Sequence, residues 1–371
     1  MPLPKVTMAA AGSGKTHDLV ETALGYEGGR VLVVTYTDQN LMEIRERIVS
    51  KKGCLPHNID LLSWYTFLIR HCIRPYQYPL YPNPRIERPF FPSGQDQDAA
   101  IRNRRYVGRD NIQAYYIVGN NQIVGEFASD FAVKCNESNG GAVIDRLAQI
   151  YGLILIDEVQ DLAGYDLDLL ELLFAANVTV GVVGDCRQVT YKTNGISRRH
   201  RGYRDEKIID FFRLMERGNK CEVEFKTTSR RCVQGICDFA DALYADMPAT
   251  TSENDVDTGH NGVFIIRSSD VAAYYETHNP QVLRWDRRTS TCCSDAVNFG
   301  EAKGCTYDRT LLYITNPIRS YIEDTTSLSS VSRAKFYVAI TRARFSTAIV
   351  YDGPIHESFT SLGVNVWTPR L

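Results

Sequence analysis

The residues best suited to chemistry fall into four short stretches. The first is AAAGSGKTHD, residues 9–18. Gly12 and Gly14 allow the backbone torsions that turn amides toward an anion. Ala11 and Ser13 complete the loop. Lys15 offers a point charge to outer phosphates, and Thr16 a hydroxyl to Mg²⁺. Where the phosphate-loop pattern opens on Gly, this loop opens on Ala9. The second stretch, LILIDEVQD, ends an apolar run in Asp157 and Glu158, one carboxylate for a metal shell and one to polarise water. The third, VVGDCRQVTYKTNG (182–195), places Gln188 three positions after Asp185, in reach of a γ-phosphate or its attacking water. The fourth is FYVAITRAR (336–344), where a run read as β-like leads into Arg342 and Arg344. An arginine that stabilises transition-state charge is worth roughly 10³ or more in rate.

Positioning these groups requires strand ends and helix starts. KVTMAA precedes the loop and the helical pattern HDLVETAL follows it, so N-terminal helix amides face the same anion. RVLVVTYT (30–37), LILIDE (153–158), TVGVVGD (179–185), VFIIRS (263–268), RTLLYIT (309–315) and TAIVYD (347–352) read as buried strands. Between several of them lie helical patterns, DQNLMEIRERIVS and YDLDLLELLF among them. Continuous apolar strands alternating with helices imply parallel sheets covered on both faces. The Pro- and aromatic-rich interval 75–97 reads as an extended surface excursion.

A chain of 371 residues has room for two domains. Its net charge of −2 excludes a polycation, so any contact with nucleic acid must come from local patches. The ten cysteines form no C-x-x-C pair and no zinc spacing, and the adjacent Cys292 and Cys293 suit no ordinary bridge. Reduced thiols in a cytoplasmic protein are expected. No apolar run reaches membrane-spanning length.

Eight segments, in order from residue 9 to residue 344, resemble the motifs of the UvrD/Rep family of superfamily 1A DNA helicases. AAAGSGKT resembles that family's A-G-A-G-S-G-K-T, which also opens on Ala. VVTYTDQNLMEIRERI resembles its V-T-F-T-N-x-A-A-x-E-M-x-x-R, and SWYTF lies where T-F-H-S-F is expected. IDEVQD and VGDCRQVTY match closely. TTSRRCVQGICDFAD resembles N-Y-R-S-x-x-x-I-L-x-x-A-N, which places Arg231 at the motif arginine. GEAKGCTYD resembles H-S-A-K-G-L-E-F, and FYVAITRAR resembles F-Y-V-A-L-T-R-A-R.

The resemblance implies an α/β fold of two RecA-like P-loop domains with parallel sheets and an ATP site in the cleft between them. The first, residues 1–218, would carry a reduced insertion at about 75–150, and the second would span 219–371. Ala11, Gly12, Ser13, Gly14, Lys15, Thr16, Asp157 and Gly304 would bind ATP and Mg²⁺, with Thr16 and Asp157 on the metal. Lys15, Glu158, Gln188, Arg231 and Arg342 would be catalytic, and Gly304 would couple hydrolysis to strand movement. Thr35, Tyr36, Thr66 and Tyr191 would contact the strand. Arg198, Arg199 and Arg201, in TYKTNGISRRHRGYR, offer phosphate contacts, and IRNRRYVGR (101–109) a second basic cluster.

Four departures modify the expectation. Eight residues precede AAAGSGKT, which leaves no place for the family's adenine-reading glutamine motif, so selection of ATP is expected to be looser. Thr193 stands where the family stacks an aromatic, and Thr306 where it has an acid. About 90 positions separate Phe67 from Asp157 and about 70 separate Arg231 from Lys303, too few at the second place for the large accessory domain.

The leading expectation is an ATP-dependent 3′-to-5′ translocase or helicase on single-stranded DNA or a tailed duplex, with RNA also open as the strand. The alternative is a DNA-stimulated ATPase subunit that senses DNA and regulates a nuclease or other effector in a repair, phage or anti-phage complex. A protein partner or self-association is expected on either reading. A P-loop kinase or GTPase would leave TRAR and AKG unexplained.

Overall fold

Apolar strands joined by helices build two parallel sheets. The structure is a computed structural model that describes residues 2–91, 107–190 and 198–369. The chain enters through β1 (Lys5–Ala9), β2 (Val31–Thr35) and β3 (Ile59–Ser63). Every residue of β2 is buried, the pattern of a strand covered on both faces. The insertion then makes its own small sheet from β4 (Arg88–Phe90), β5 (Ile117–Val118) and β6 (Gln122–Val124). There β4 runs parallel to β6, and β5 antiparallel to it. The chain returns as β7 (Leu153–Ile156), β8 (Thr179–Gly184) and β9 (Glu222–Lys226), giving the order β3-β2-β7-β8-β1-β9. The pairings β2–β3, β2–β7 and β7–β8 are parallel.

A short parallel pair, β10 (Thr228–Ser229) with β11 (Thr251–Ser252), leads into the second large sheet. Its strands are β12 (Gly262–Ile266), β13 (Gln281–Arg284), β14 (Val297–Asn298), β15 (Tyr307–Tyr313), β16 (Ala343–Val350) and β17 (Asn365–Trp367). They pair throughout in parallel, in the order β14-β13-β15-β16-β12-β17. The expected α/β class with large parallel sheets is therefore the observed one.

Two compact units divide the chain. The first contains residues 1–7, 16–184 and 191–224, and the second contains 8–15, 185–190 and 225–371. Helix α1 (Lys15–Leu24) and helix α2 (Asp38–Lys52) cover the first sheet, burying Leu19, Val20, Ile44 and Ile48 against Val33 and Leu155. The Thr37 hydroxyl caps α2 by accepting from Asn40 N (3.1 Å), and Gly53, at φ 76°, closes it. In the second unit Phe239, Phe336, Tyr337, Leu312 and Ile349 share one core.

Two local expectations are corrected. FYVAI, read as β-like, belongs to a helix, Ser330–Ile340; a short apolar run buried on all sides carries no periodicity to separate helix from strand. The interval 75–97 is more than an excursion in its described part. Gln77, Tyr81 and Ile86 are buried, and Gln77 bonds Tyr81 O (2.8 Å), Pro84 O (3.1 Å) and Ile86 N (3.0 Å). All ten cysteines are free. Among the described residues no helix is long and apolar enough to cross a membrane.

Candidate nucleotide and nucleic-acid sites

The phosphate-loop candidate lies in the second unit with the segments that carry its candidate arginines. Gly12 (φ 77°) and Gly14 (φ 84°) are both left-handed, as a loop that aims its amides requires. Ser229 Oγ donates to Ala11 O (2.8 Å), Arg230 N to Gly12 O (2.9 Å), and Ala10 N to Lys226 O (2.8 Å). A Cβ on Gly12 would fall 2.5 Å from Arg231 Cβ. Only glycine admits so close an approach. Ser13 is buried and its hydroxyl has no hydrogen-bond partner among the described residues, which marks a polar atom suited to a ligand.

Gln188 and Arg342 meet directly. Arg342 Nη2 donates to Gln188 Oε1 (3.3 Å), while Gln188 Nε2 donates to Asp185 Oδ2 (2.8 Å). Arg342 is only 2% exposed and also donates from Nε to Val338 O (3.0 Å) and from Nη1 to Cys305 O (3.4 Å). Gly304, next to that carbonyl, adopts φ 90°. Arg231 Nη1 donates to Thr341 O (3.2 Å), so both candidate arginines are anchored at the end of the Ser330–Ile340 helix.

Two members of this cluster were not singled out from the sequence. The Tyr337 hydroxyl accepts from Ala11 N and donates to Asp185 Oδ2, each at 3.4 Å. Arg187 is buried; it bonds Asp185 Oδ1 through Nε (3.1 Å) and Asp241 Oδ1 through Nη1 (3.1 Å), with its guanidinium 5.1 Å from the Tyr337 ring centre. Burial opposes the Arg187 charge, yet Tyr337, Asp185 and Asp241 outweigh it and hold the pKa above the ordinary arginine value. For Tyr337 no local signal existed: Thr341 Oγ1 donates to Tyr337 O (2.8 Å), a backbone bond that any residue at 337 would accept. Nothing in GDCRQ distinguishes a buried arginine from a solvated one.

Thr16, Asp157 and Glu158 belong to the first unit. Asp157 follows β7 directly, with its N–H on Val34 O (2.8 Å), and is buried. Glu158 stands at φ 56°, its N–H on Asp157 Oδ1 (2.9 Å), and its carboxylate accepts from Gln160 Nε2. Thr16 lies in the first turn of α1. In open parallel sheets ligands gather at the carboxyl ends of strands, and Asp157 occupies such an end.

The strand-contact candidates scatter more widely. Thr35 ends β2 with a buried hydroxyl that has no hydrogen-bond partner among the described residues. Tyr36 and Thr66 line one open pocket in the first unit. Arg198 and Arg201 are exposed. Arg199 is held by Asp168 through Nε (3.0 Å) and Nη2 (2.5 Å), so the acid missing from the local sequence arrives from the helix Tyr165–Phe174. Tyr191 and Thr193 lie outside the described residues, as do Arg102, Arg104 and Arg105 of the second basic cluster.

Comparison with known proteins gives two family matches. The AAA domain model matches residues 4–194, and the viral superfamily 1 RNA helicase core domain model matches residues 142–351. No curated protein matches the chain. Among solved structures, an arterivirus nonstructural protein 10 helicase is 14% identical with a TM-score of 0.46, the match covering 97% of this chain and 61% of that one. An arterivirus nonstructural protein 10 helicase in complex with DNA is 15% identical with a TM-score of 0.46, covering 97% and 62%. The chain thus spans about three fifths of the length of the solved helicases it matches.

Proposed function

The chain belongs to the superfamily 1 helicases, enzymes that hydrolyse nucleoside triphosphates, and from that premise we propose that it is an ATP-driven motor on single-stranded nucleic acid. The observation that carries the reading is the packing of the left-handed Gly12 loop against Arg231, in the same unit as the Gln188–Arg342 pair. Phosphate-binding amides and transition-state cations are the two things phosphoryl transfer asks of a protein.

In this reading Ala11–Lys15 cradles the phosphates, with Ser13 Oγ as a further donor. Lys15 holds the outer phosphate charge. Glu158 takes the proton of the attacking water, and Gln188 orients that water or senses the γ-phosphate. Arg231 and Arg342 stabilise the charge that grows as the phosphoryl group leaves, and Gly304 lets the segment beside Arg342 bend. The Thr16 hydroxyl and the Asp157 carboxylate are the hard oxygen donors that Mg²⁺ favours, and one or two carboxylates beside substrate phosphates suffice for it. Bound there, Mg²⁺ supplies neutralisation of the β- and γ-oxygens.

Thr35, Tyr36, Thr66, Tyr191 and the arginines Arg198, Arg199 and Arg201 form the proposed strand track. The proposed division is a first RecA-like domain at 1–218 and a second at 219–371. The UvrD/Rep motif order further supports 3′-to-5′ movement on DNA.

Hydrolysis measured with and without single-stranded DNA and RNA tests the reading. Strand-stimulated turnover is expected, with Lys15→Ala abolishing it and keeping strand affinity. Normal hydrolysis by Lys15→Ala would sink the assignment of the site, and turnover indifferent to every strand would sink the motor. Strand displacement on 3′-tailed against 5′-tailed duplexes decides polarity; preference for the 5′ tail would overturn the 3′-to-5′ reading.

A further inference from the structure

Two thiols lie behind the phosphate loop, and neither has a part in the proposed chemistry. Cys232 and Cys237 are 1% and 3% exposed, in the same unit as residues 8–15. Cys232 precedes Val233, the N-cap of the helix Gln234–Asp241, and Cys237 is the fourth residue of that helix. Helical side chains lean toward the N-terminus of their helix, so Cys237 turns back onto the residue before the cap. Its Sγ donates to Cys232 O (3.7 Å), and the two thiols are hydrogen-bonded to one another. Cys232 Sγ also donates to Thr341 O (3.5 Å), the carbonyl that holds Arg231 Nη1 (3.2 Å).

The backbone at Cys232 is bonded to the loop through a single hydroxyl. Cys232 N donates to Ser229 Oγ (3.3 Å), and Ser229 Oγ donates to Ala11 O (2.8 Å). Arg230 N holds Gly12 O (2.9 Å), and a Cβ on Gly12 would fall 2.5 Å from Arg231 Cβ. Residues 229–232 therefore form the wall against which the loop is packed, and a shift at Cys232 reaches Ala11 and Gly12. The two sulfurs are unequal. The hydrogen bond from Cys237 holds the Cys232 thiol below the ordinary cysteine value against burial, and Arg231 and Arg342 add to it. The same bond and burial push Cys237 up. A sulfur that ionises more readily, with a second thiol in contact, pairs a reactive cysteine with a resolving one.

We infer that Cys232 and Cys237 form a reversible disulfide under a peroxide oxidant, and that this bond loosens the loop's hold on nucleotide. The Cys232 thiolate attacks one peroxide oxygen; the O–O bond breaks, hydroxide leaves, and Cys232 becomes a sulfenic acid. The Cys237 sulfur then attacks the Cys232 sulfur, so that the S–S bond forms and the S–O bond breaks. Both oxygens leave as water with the thiol protons, and the electron pair the thiols lose is the one the peroxide gains. To reach Cys237, the Cys232 sulfur leaves Thr341 O, and the backbone that carries Ser229 Oγ moves with it. Burial sets the rate, because oxidant reaches both sulfurs only when this segment opens. The effect on nucleotide rests on the proposed motor reading; formation of the bond does not, and the test separates the two.

The reduced full chain is treated with hydrogen peroxide, alkylated under denaturing conditions and digested with trypsin. The peptide 232–267 contains Cys232 and Cys237 and no other cysteine. It is expected to be lighter by two hydrogens, to take up no alkylating agent, and to regain both thiols with dithiothreitol. A peptide alkylated at both thiols, in a sample whose exposed Cys54 is oxidised, overturns the disulfide. Hydrolysis measured on the same samples shows the ATP KM raised several-fold by peroxide and restored by dithiothreitol. Cys237→Ala and Cys232→Ser keep the reduced chain's KM and unfolding temperature and lose the response to peroxide. A linked peptide with an unchanged KM, or a response that survives either substitution, overturns the effect on the loop. A reduced wild-type chain that hydrolyses no nucleotide overturns the motor reading and leaves the disulfide decided by the peptide.

Discussion

Tyr337 shows how much of the candidate site depends on single atoms. Its hydroxyl stands between the amide of Ala11 and the carboxylate of Asp185, and its ring carries the buried Arg187. The group touches no reacting atom in the proposed chemistry; it holds the loop that does. Tyr337→Phe removes the hydroxyl and keeps the ring, leaving the buried Ala11 amide short of this partner at about 1–3 kcal/mol when nothing replaces it, while Asp185 keeps its bonds from Gln188 and Arg187. The expected result is an ATP KM raised several-fold with kcat nearly unchanged, and a lower unfolding temperature. A wild-type KM in the folded variant would remove Tyr337 from the loop's support. Arg187 belongs to the same scale: its charge is balanced by Asp185 and Asp241, and cutting one partner from such a group costs more than the pair itself contributes.

At the scale of elements, the insertion and the first sheet are joined by polar atoms as well as by apolar packing. Asp166, at the start of the helix Tyr165–Phe174, is buried and accepts from Trp64 Nε1 (3.0 Å), from Ala163 N (3.1 Å) and from Ser129 Oγ. Trp64 follows β3, and Ser129 opens the insertion helix Ala128–Ser138. One carboxylate thus ties three segments far apart in sequence. Asp166→Ala leaves three buried donors without their acceptor, and a stability loss of about 3 kcal/mol or more is expected from charge-assisted bonds of this kind. Urea unfolding measures it; a loss under about 1 kcal/mol would show the network to be dispensable. The Ser330–Ile340 helix teaches the complementary lesson. Seven of its eleven residues are buried, so FYVAI has no polar face to reveal its period. Strands such as Val31–Thr35, equally apolar but short and β-branched, are legible in the sequence because length and residue type supply what periodicity cannot.

Across the whole molecule, acid is the condition under which stability should fail first. Burial pushes His71 down to about 4, helped by Arg146 and Arg70, and burial with His278 and Arg309 pushes His260 down to about 4. In the unfolded chain both return to about 6.5. Between those values the unfolded state binds more protons than the folded one, so stability rises with pH across the window and is lost as pH falls from about 6.5 toward 4. Urea midpoints at pH 7.5 and pH 5 should differ accordingly, and His71→Asn with His260→Asn should flatten the difference; equal midpoints in the wild type would contradict it. The net charge of −2, close to neutral, hides a local arrangement that only folding reveals. From the sequence alone came the parallel α/β class, the phosphate-loop glycines, the acids after β7 and the arginines after FYVAI, because each is a local pattern tied to a backbone requirement or a charge. The tertiary structure alone decided that Asp168 holds Arg199, that Tyr337 and Arg187 enter the Gly12 cluster, and that Phe91 of the insertion faces Tyr65. Those facts join residues tens to hundreds of positions apart, and no local period or spacing encodes which distant side chain will fill a buried donor's empty place.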